Sequence, residues 1–316
     1  MIGLEVLYVI GGGFFAAIAV LSARDASNPK RWKNTAFWGL FAVSFLFGSH
    51  LPDFANGLVV IAMVLTAGFG GLGIGLPATT GPEERRESAR RLGDRLFLPA
   101  LAIPLTALAG TFLFKRPELA GLVDPKQATL VSLTLGVFVA LAVAMPMLRA
   151  KPITPLQEGR RLLDTVGWAA VLPQMLAALG AVFAAAGVGT AIGQIASDWL
   201  PSGSQLAAVV AYTFGMAIFT MIMGNAFAAF PVMTAGIGLP LIVMRFGGDP
   251  AIMGAIGMLS GFCGTLMTPM AANFNIVPAA LLELKDRNGV IRAQVPTAIL
   301  LLLTNTALMY VLVFRF

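Results

Sequence analysis

The sequence predicts an all-helical polytopic membrane protein, and three observations carry this prediction. Hydrophobic residues make up 58% of the 316 residues and charged residues 11%, whereas about a quarter of the residues in an average soluble domain are charged. Apolar runs of roughly 20 residues, the length that crosses a bilayer as a helix, recur along the whole chain. Most of the 21 Lys and Arg residues lie in short connectors between these runs. The basic residues therefore set the topology of the chain in the lipid bilayer. The bilayer is the expected partner, and the net charge of +6 does not indicate nucleic acid.

We expect about ten membrane segments with discontinuous or re-entrant helices in the carboxyl-terminal half. The first segment contains "LYVIGGGFFAAIAVLSA" and has no basic leader, so we interpret it as a retained span and not as a cleaved secretory signal. Residues 1–162 are predicted to hold amino-terminal spans and basic cytoplasmic loops, and residues 163–316 a transport region with broken helices. The ten expected segments are 4–22, 35–50, 53–72, 96–114, 127–148, 163–196, 206–223, 227–244, 251–284 and 295–314.

The basic connectors predict the orientation of the chain. Residues 23–34, 77–95, 149–162 and 284–294 hold most of the Lys and Arg residues, and such connectors face the cytoplasm. Both termini are then expected on the opposite side. Within the second connector, "GPEERRESARRLGDR" predicts a short surface helix with mixed charges.

The expected segment 251–284 is too long for a simple span and carries "GTLMTPMAANFN" at residues 264–275. Pro269 lacks an amide donor and crowds the preceding turn, which frees carbonyls near residues 265 and 266. Non-helical backbone survives at membrane depth only where it is packed in protein or lines a wet cavity. The motif "GFGGLGIGLPATT" at 68–80 echoes "GFCGTLMTPMAAN" at 261–273, which we interpret as shared composition because glycine pairs are common in membrane helices.

A second interruption lies in "TMIMGNAFAAFPVMTAGIGLPLIV", where Gly224 and Asn225 stand inside an apolar stretch. We expect two helices to meet in a hairpin with Asn225 near its tip. The amino terminus of a half-helix suits a carboxylate without a buried cation, and an asparagine carbonyl can coordinate a cation. A single asparagine in a membrane helix more often forms a hydrogen bond between helices. The clustering of asparagine and threonine residues in two broken segments indicates a binding site here. The predicted substrate- and ion-binding residues are Gly224, Asn225, Thr265, Thr268, Pro269, Asn273 and Asn275.

We expect no cofactor apart from a coupling sodium ion at Asn225, Thr265 and Asn273. No ionisable residue lies deep in the carboxyl-terminal spans, which favours sodium over a carboxylate proton relay. Enzymatic function is not expected. The chain has a single histidine, so neither an HExxH metal site nor the base of a serine hydrolase can be built.

The strings "GNAFAAFPVMTAGIGLPLI" and "GFCGTLMTPMAANFNIVPAALLELKD" resemble the larger subunit of the bacterial two-subunit 5-oxoproline (pyroglutamate) transporters, a former domain-of-unknown-function family. That family is similar to the ion transporter superfamily, whose members pair a hairpin tip of Ser-Asn-Thr type with an unwound "TPPN" segment. The tip here is occupied by Gly224, Asn225 and Ala226, and the unwound segment by Thr268, Pro269 and the run to Asn273 and Asn275. The tip lacks the serine and threonine, and the second proline is missing.

The resemblance implies a multi-pass protein of the bacterial cytoplasmic (inner) membrane that moves a small carboxylate, 5-oxoproline, by sodium symport. Only one set of half-site motifs is evident in the chain, so a smaller membrane subunit, or a second copy in a homodimer, is expected to complete the site. The alternative from another class is a non-transporting scaffold or assembly subunit whose broken helices accommodate its partner. A passive channel is a third hypothesis, and it differs from a transporter in giving flux without accumulation.

Overall fold

The computed structural model describes residues 1–75, 81–116, 119, 121–199, 201, 203–282 and 284–315. These residues form helices and turns without a strand, and an isolated parallel bridge joins Ile2 to Val123. The chain divides into two compact units, Met1–Gly167 and Trp168–Phe316. The division falls shortly after the functional boundary predicted at 162/163, because the helix before Gly167 packs against the first helix of the chain.

The described residues of the first unit form seven α-helices. A 3-10 turn, Gly93–Leu96, links the fourth helix to the fifth. The helices are α1 (Leu4–Arg24), α2 (Arg31–Phe47), α3 (Asp53–Gly68), α4 (Pro82–Leu92), α5 (Phe97–Leu113), α6 (Ala128–Leu148) and α7 (Thr154–Val166).

Packing in the first unit rests on two helix hairpins. Helices α1 and α2 pack along their length, as do α5 and α6. Phe15 of α1 stacks against Trp38 and Phe41 of α2, and Trp38 is fully buried. The short helix predicted in the second connector is present as α4, with Glu83 in its first turn and Arg91 in its last, an order that complements the helix dipole.

The described residues of the second unit form seven α-helices and one π-helical stretch. They are α8 (Leu172–Ala185), α9 (Val188–Trp199), α10 (Gln205–Met223), α11 (Ala226–Met233), the π-helix Thr234–Arg245, α12 (Pro250–Leu266), α13 (Ile276–Leu281) and α14 (Gly289–Leu312). Helix α12 packs against α10 and α14. Tyr212, Met216 and Met253 are fully or almost fully buried in the core of this unit.

Seven helical runs in the described residues are long and apolar enough to cross a membrane: Leu4–Arg24, Glu83–Leu113, Ala128–Leu148, Thr154–Ala185, Gln205–Met223, Ala226–Arg245 and Gly289–Leu312. Three of these runs cover consecutive elements, namely α4 with α5, α7 with α8, and α11 with the π-helix. The chain is a multi-pass membrane protein, but the predicted count of about ten is not reproduced. The expected segments 53–72 and 251–284 are cut short, because α3 ends at Gly68 and α12 at Leu266, after 16 and 17 residues. A straight span needs roughly 20 residues. Residues 76–80, which belong to the predicted echo motif and the second basic connector, lie outside the described residues.

Candidate functional site

The second unit contains the predicted hairpin tip. Helix α10 ends at Met223, and Gly224 follows with φ 70°, a left-handed conformation that favours glycine. Asn225 then caps α11, because its Oδ1 accepts a hydrogen bond from the Phe227 amide at 2.8 Å. The helix is therefore interrupted at Gly224 and Asn225, the two residues at which the sequence predicts a break.

The tip lies directly on the unwound segment that follows α12. A Cβ placed on Gly224 would lie 2.7 Å from the Met270 carbonyl oxygen, so only glycine fits. The Thr268 hydroxyl also donates to the Met221 carbonyl at 2.9 Å. The structure thus brings together the two interruptions that lie about 40 residues apart in the sequence.

One buried asparagine holds the unwound segment in place. Asn275 is fully buried, and its Nδ2 donates to the carbonyls of Thr265 at 2.9 Å and Thr268 at 2.7 Å. These bonds satisfy carbonyls next to Pro269, where helical partners are lost. The other amide atom, Oδ1, has no hydrogen-bond partner in the described part of the chain.

A cavity of about 270 Å³ opens where the tip meets the unwound segment. Its size lies just below the roughly 300–1,000 Å³ of pockets that hold drug-sized ligands, which suits a small metabolite. It is lined by Leu172, Pro173, Leu176, Gly224, Asn225, Ala226, Phe227, Phe262, Thr265, Ala271, Ala272, Asn273 and Phe274.

The lining of this cavity is mostly apolar, and its few polar side chains are uncharged. Asn225, Thr265 and Asn273 supply amide and hydroxyl groups, and the lining includes no ionisable side chain among the described residues. At the amino terminus of α11, Asn225 occupies the Phe227 amide, and the helical bonds begin with the Ala229 amide. The Ala226 amide, which belongs to the cavity lining, has no protein acceptor in the described residues, so it can donate to an anion.

The structure divides the seven predicted site residues into two groups. Four of them line the cavity: Gly224, Asn225, Thr265 and Asn273. The other three do not. Thr268 and Asn275 are buried and hold the backbone, whereas Pro269 is exposed and outside the lining.

Three aromatic residues of the cavity wall were not predicted. The ring of Phe262 lies 5.9 Å from that of Phe227 and 6.5 Å from that of Phe274, measured between centroids. Each is adjacent to a predicted polar position or motif in "GNAF", "GFCG" and "NFN". The wall from α8, Leu172, Pro173 and Leu176, has no such local signal, since it joins the site only through tertiary packing.

The three residues predicted to coordinate sodium all reach the cavity. Asn225 Oδ1 already accepts the Phe227 amide, but an amide oxygen has a second lone pair. The Thr265 hydroxyl donates to the Phe262 carbonyl at 2.6 Å and keeps its oxygen lone pairs for a cation. The donor set is neutral oxygen, which suits a hard monovalent cation better than a transition metal.

Comparison with known proteins gives a family-level match. The model of a family described as "Protein of unknown function (DUF979)" matches residues 5–314. No curated protein and no solved structure matches the chain. The family match includes both compact units and every residue of the cavity lining.

Proposed function

We propose a transport function for this chain, which belongs to the family described as a protein of unknown function (DUF979). In this proposal the chain is a subunit of a secondary active transporter that moves a small carboxylate across the bacterial cytoplasmic membrane by alternating access. The observation that carries it is the cavity of about 270 Å³ formed by two helix breaks of the second unit. Broken helices that meet at a small binding cavity are a common construction of secondary transporters.

The substrate carboxylate binds at the amino terminus of α11 in this proposal. The Ala226 amide and the partial positive charge of the helix stabilise an anion there. No buried Lys or Arg is needed. A neutral lining disfavours a dicarboxylate, because a second negative charge in the cavity would lack a partner.

The substrate named by the sequence resemblance, 5-oxoproline, fits these features. It carries one carboxylate and one lactam amide on a small ring. The lactam N–H and C=O can pair with the side-chain amides of Asn225 and Asn273, which both donate and accept. The ring can pack against the Phe227 and Phe262 side chains that line the cavity.

Sodium is the proposed coupling ion, and the second subunit is a smaller membrane protein or another copy of this chain. The neutral oxygen donors of Asn225, Thr265 and Asn273 support the ion, since a bound cation also offsets the substrate carboxylate. The partner is supported by the resemblance alone. No enzymatic step is proposed.

Uptake of labelled 5-oxoproline in cells that carry this chain and its partner tests the proposal. We expect accumulation against a gradient that depends on sodium, and at least a roughly ten-fold loss of uptake in Asn225→Ala and Asn273→Ala, since each removes a hydrogen bond to substrate of about 1.4 kcal/mol. The matched control is Asn288→Ala, an exposed asparagine outside the cavity, which should transport like wild type.

Three outcomes would overturn parts of the proposal. Unchanged uptake in both cavity variants at normal expression favours the scaffold hypothesis. Flux without accumulation indicates a passive channel. Accumulation that persists without sodium removes the coupling ion and leaves the substrate site intact.

A further inference from the structure

The first unit also contains a helix break. The side chain that binds the broken segment also donates a hydrogen bond to a buried carboxylate. Helix α3 ends at Gly68, and residues 69–75 continue as non-helical backbone with φ 80° at Gly70 and 67° at Gly71. The α2 residue Asn34 is fully buried and pairs with both backbone groups of Gly73. Its Oδ1 accepts the Gly73 amide at 2.9 Å, and its Nδ2 donates to the Gly73 carbonyl at 2.8 Å.

The same asparagine amide also donates to the buried carboxylate. Asn34 Nδ2 lies 2.9 Å from Asp164 Oδ1, and the Trp38 indole N–H lies 3.0 Å from the same oxygen. Asp164 is 7% exposed, and Trp38 is fully buried. A single oxygen thus accepts both bonds, and one of the two donors is the side chain that holds Gly73.

No cation pairs directly with Asp164 among the described residues. The Arg160 guanidinium, one turn earlier on α7, binds Asp25 at 3.1 Å and the Leu21 carbonyl at 2.7 Å. On the side of α2, the ammonium groups of Lys30 and Lys33 donate to the carbonyls of Gly70 and Phe69. Asp164 therefore faces neutral donors from α2, with Arg160 and Asp25 as the nearby charges.

We propose that Asp164 is a proton-binding site whose charge controls the hold of Asn34 on the glycine-rich segment Phe69–Gly75. The proton adds to Oδ2, because Oδ1 already accepts two bonds. Protonation removes the charge from the acceptor of Asn34 and Trp38. Hydrogen bonds to an ionised acceptor are about twice as strong as neutral ones, so the Asn34 amide is less firmly oriented towards Gly73 when Asp164 is protonated.

The backbone of the segment is sterically restricted at Gly73, so it is sensitive to the orientation of the Asn34 amide. A Cβ on Gly73 would lie 2.1 Å from Asn28 Oδ1, so the backbone fits tightly against the asparagine side chains. The Asn28 Nδ2 group also donates to the Gly73 carbonyl at 3.2 Å. Weaker orientation of Asn34 releases the Gly73 amide first, since Asn28 contacts only the carbonyl.

Hydrogen–deuterium exchange on the full chain in lipid nanodiscs tests this proposal without a transport assay. After correction for the intrinsic exchange rate, we expect protection of the peptide covering 69–75 to fall about five-fold as the pH is lowered, the factor between a charge-assisted and a neutral hydrogen bond. The pH range from about 8 to about 5 covers the titration of buried carboxylates. The internal control is the peptide covering 267–275, which is held by Asn275 and Thr268 and contains no ionisable side chain.

Two variants separate titration of Asp164 from a purely structural role. Asp164→Asn should lose the pH dependence and show the low protection at every pH. Trp38→Phe removes one donor to the carboxylate and should move the midpoint to higher pH, because the charged form loses a stabilising bond. Protection of 69–75 that is independent of pH in the wild-type chain overturns the proposal, as does an unshifted midpoint in Trp38→Phe. Neither result bears on carboxylate uptake, so this inference and the transport proposal fail separately.

Discussion

The two units each interrupt a short apolar helix, but they hold the interruption in different ways. In the first unit, residues 69–75 are bound by two lysine ammonium groups and two asparagine side chains, with Asp164 behind them. In the second unit, residues 267–275 are bound by the neutral side chains of Thr268 and Asn275. The cavity of about 270 Å³ lies at the second break.

The difference shows what a helix break needs in order to leave room for a ligand. At the first break, Asn34 and Asn28 saturate the backbone of Gly73. At the second, the Asn275 Oδ1 atom and the Ala226 amide at the start of α11 have no partner in the described residues. Unpartnered polar groups are costly inside a membrane protein, and a carboxylate bound in the cavity would offset that cost at the Ala226 amide. Protein side chains therefore saturate the backbone of Gly73 at the first break, whereas the second break leaves polar groups without a protein partner among the described residues.

Replacing Asn34 should have the largest effect on stability. Asn34→Ala removes the bonds to both Gly73 groups and to Asp164 and leaves them buried, so we expect a loss of roughly 4 kcal/mol in the free energy of unfolding. Denaturant unfolding of the full chain in lipid measures it. Asn56→Ala is the matched control, since this half-buried asparagine donates to the Gly48 and Leu51 carbonyls and should cost about 1 kcal/mol. Equal losses would mean that the first break does not depend on the Asn34 network.

Substitution of the hairpin tip should be the next most severe change. Gly224→Ala introduces a side chain at φ 70° and a Cβ 2.7 Å from the Met270 carbonyl oxygen, which should cost roughly 3 kcal/mol. We also expect loss of 5-oxoproline uptake, because the new side chain pushes the tip away from the unwound segment and changes the cavity between them. Gly254→Ala on α12 is the control, since its Cβ would make an ordinary contact with Phe230 at 3.6 Å. Wild-type stability of Gly224→Ala would contradict the close contact between the two breaks.

The positions of the breaks in the second unit were predictable, whereas their surroundings were not. Pro269 and the pair Gly224–Asn225 act on their own backbone, so local residue chemistry was enough to locate them. The bond between Asn34 and Asp164 joins residues 130 positions apart, and no spacing rule connects them. The wall from α8 is of the same kind. The break after α3 was missed because "GFGG" was interpreted as helix-packing composition, although Gly70 and Gly71 adopt positive φ there.

Removing Asn275 should have a smaller effect than removing Asn34. Asn275→Ala frees the carbonyls of Thr265 and Thr268 but leaves no charged group without a partner, and we expect a loss of about 2 kcal/mol in the free energy of unfolding. The matched control is Asn305→Ala, another buried asparagine of the second unit, which donates to the Cys263 sulfur at 3.7 Å. Sulfur is a weak acceptor, so that loss should stay below about 1 kcal/mol. A larger loss for Asn275→Ala than for Asn34→Ala would reverse the comparison between the two breaks.

The smallest effect is expected for the lysine that binds the end of α3. Lys33 donates to the carbonyl of Phe69, the residue that caps this helix, and a cation at a helix carboxyl terminus contributes about 0.5 kcal/mol at low ionic strength. Lys33→Met should lose this contribution at low salt and match wild type at high salt, because the interaction is screened. Lys126→Met, an exposed lysine away from the break, should be neutral in both conditions. A loss that persists at high salt would show that the Lys33 stem packs against the segment. The charge at the first break would then contribute less than the comparison with the second break implies.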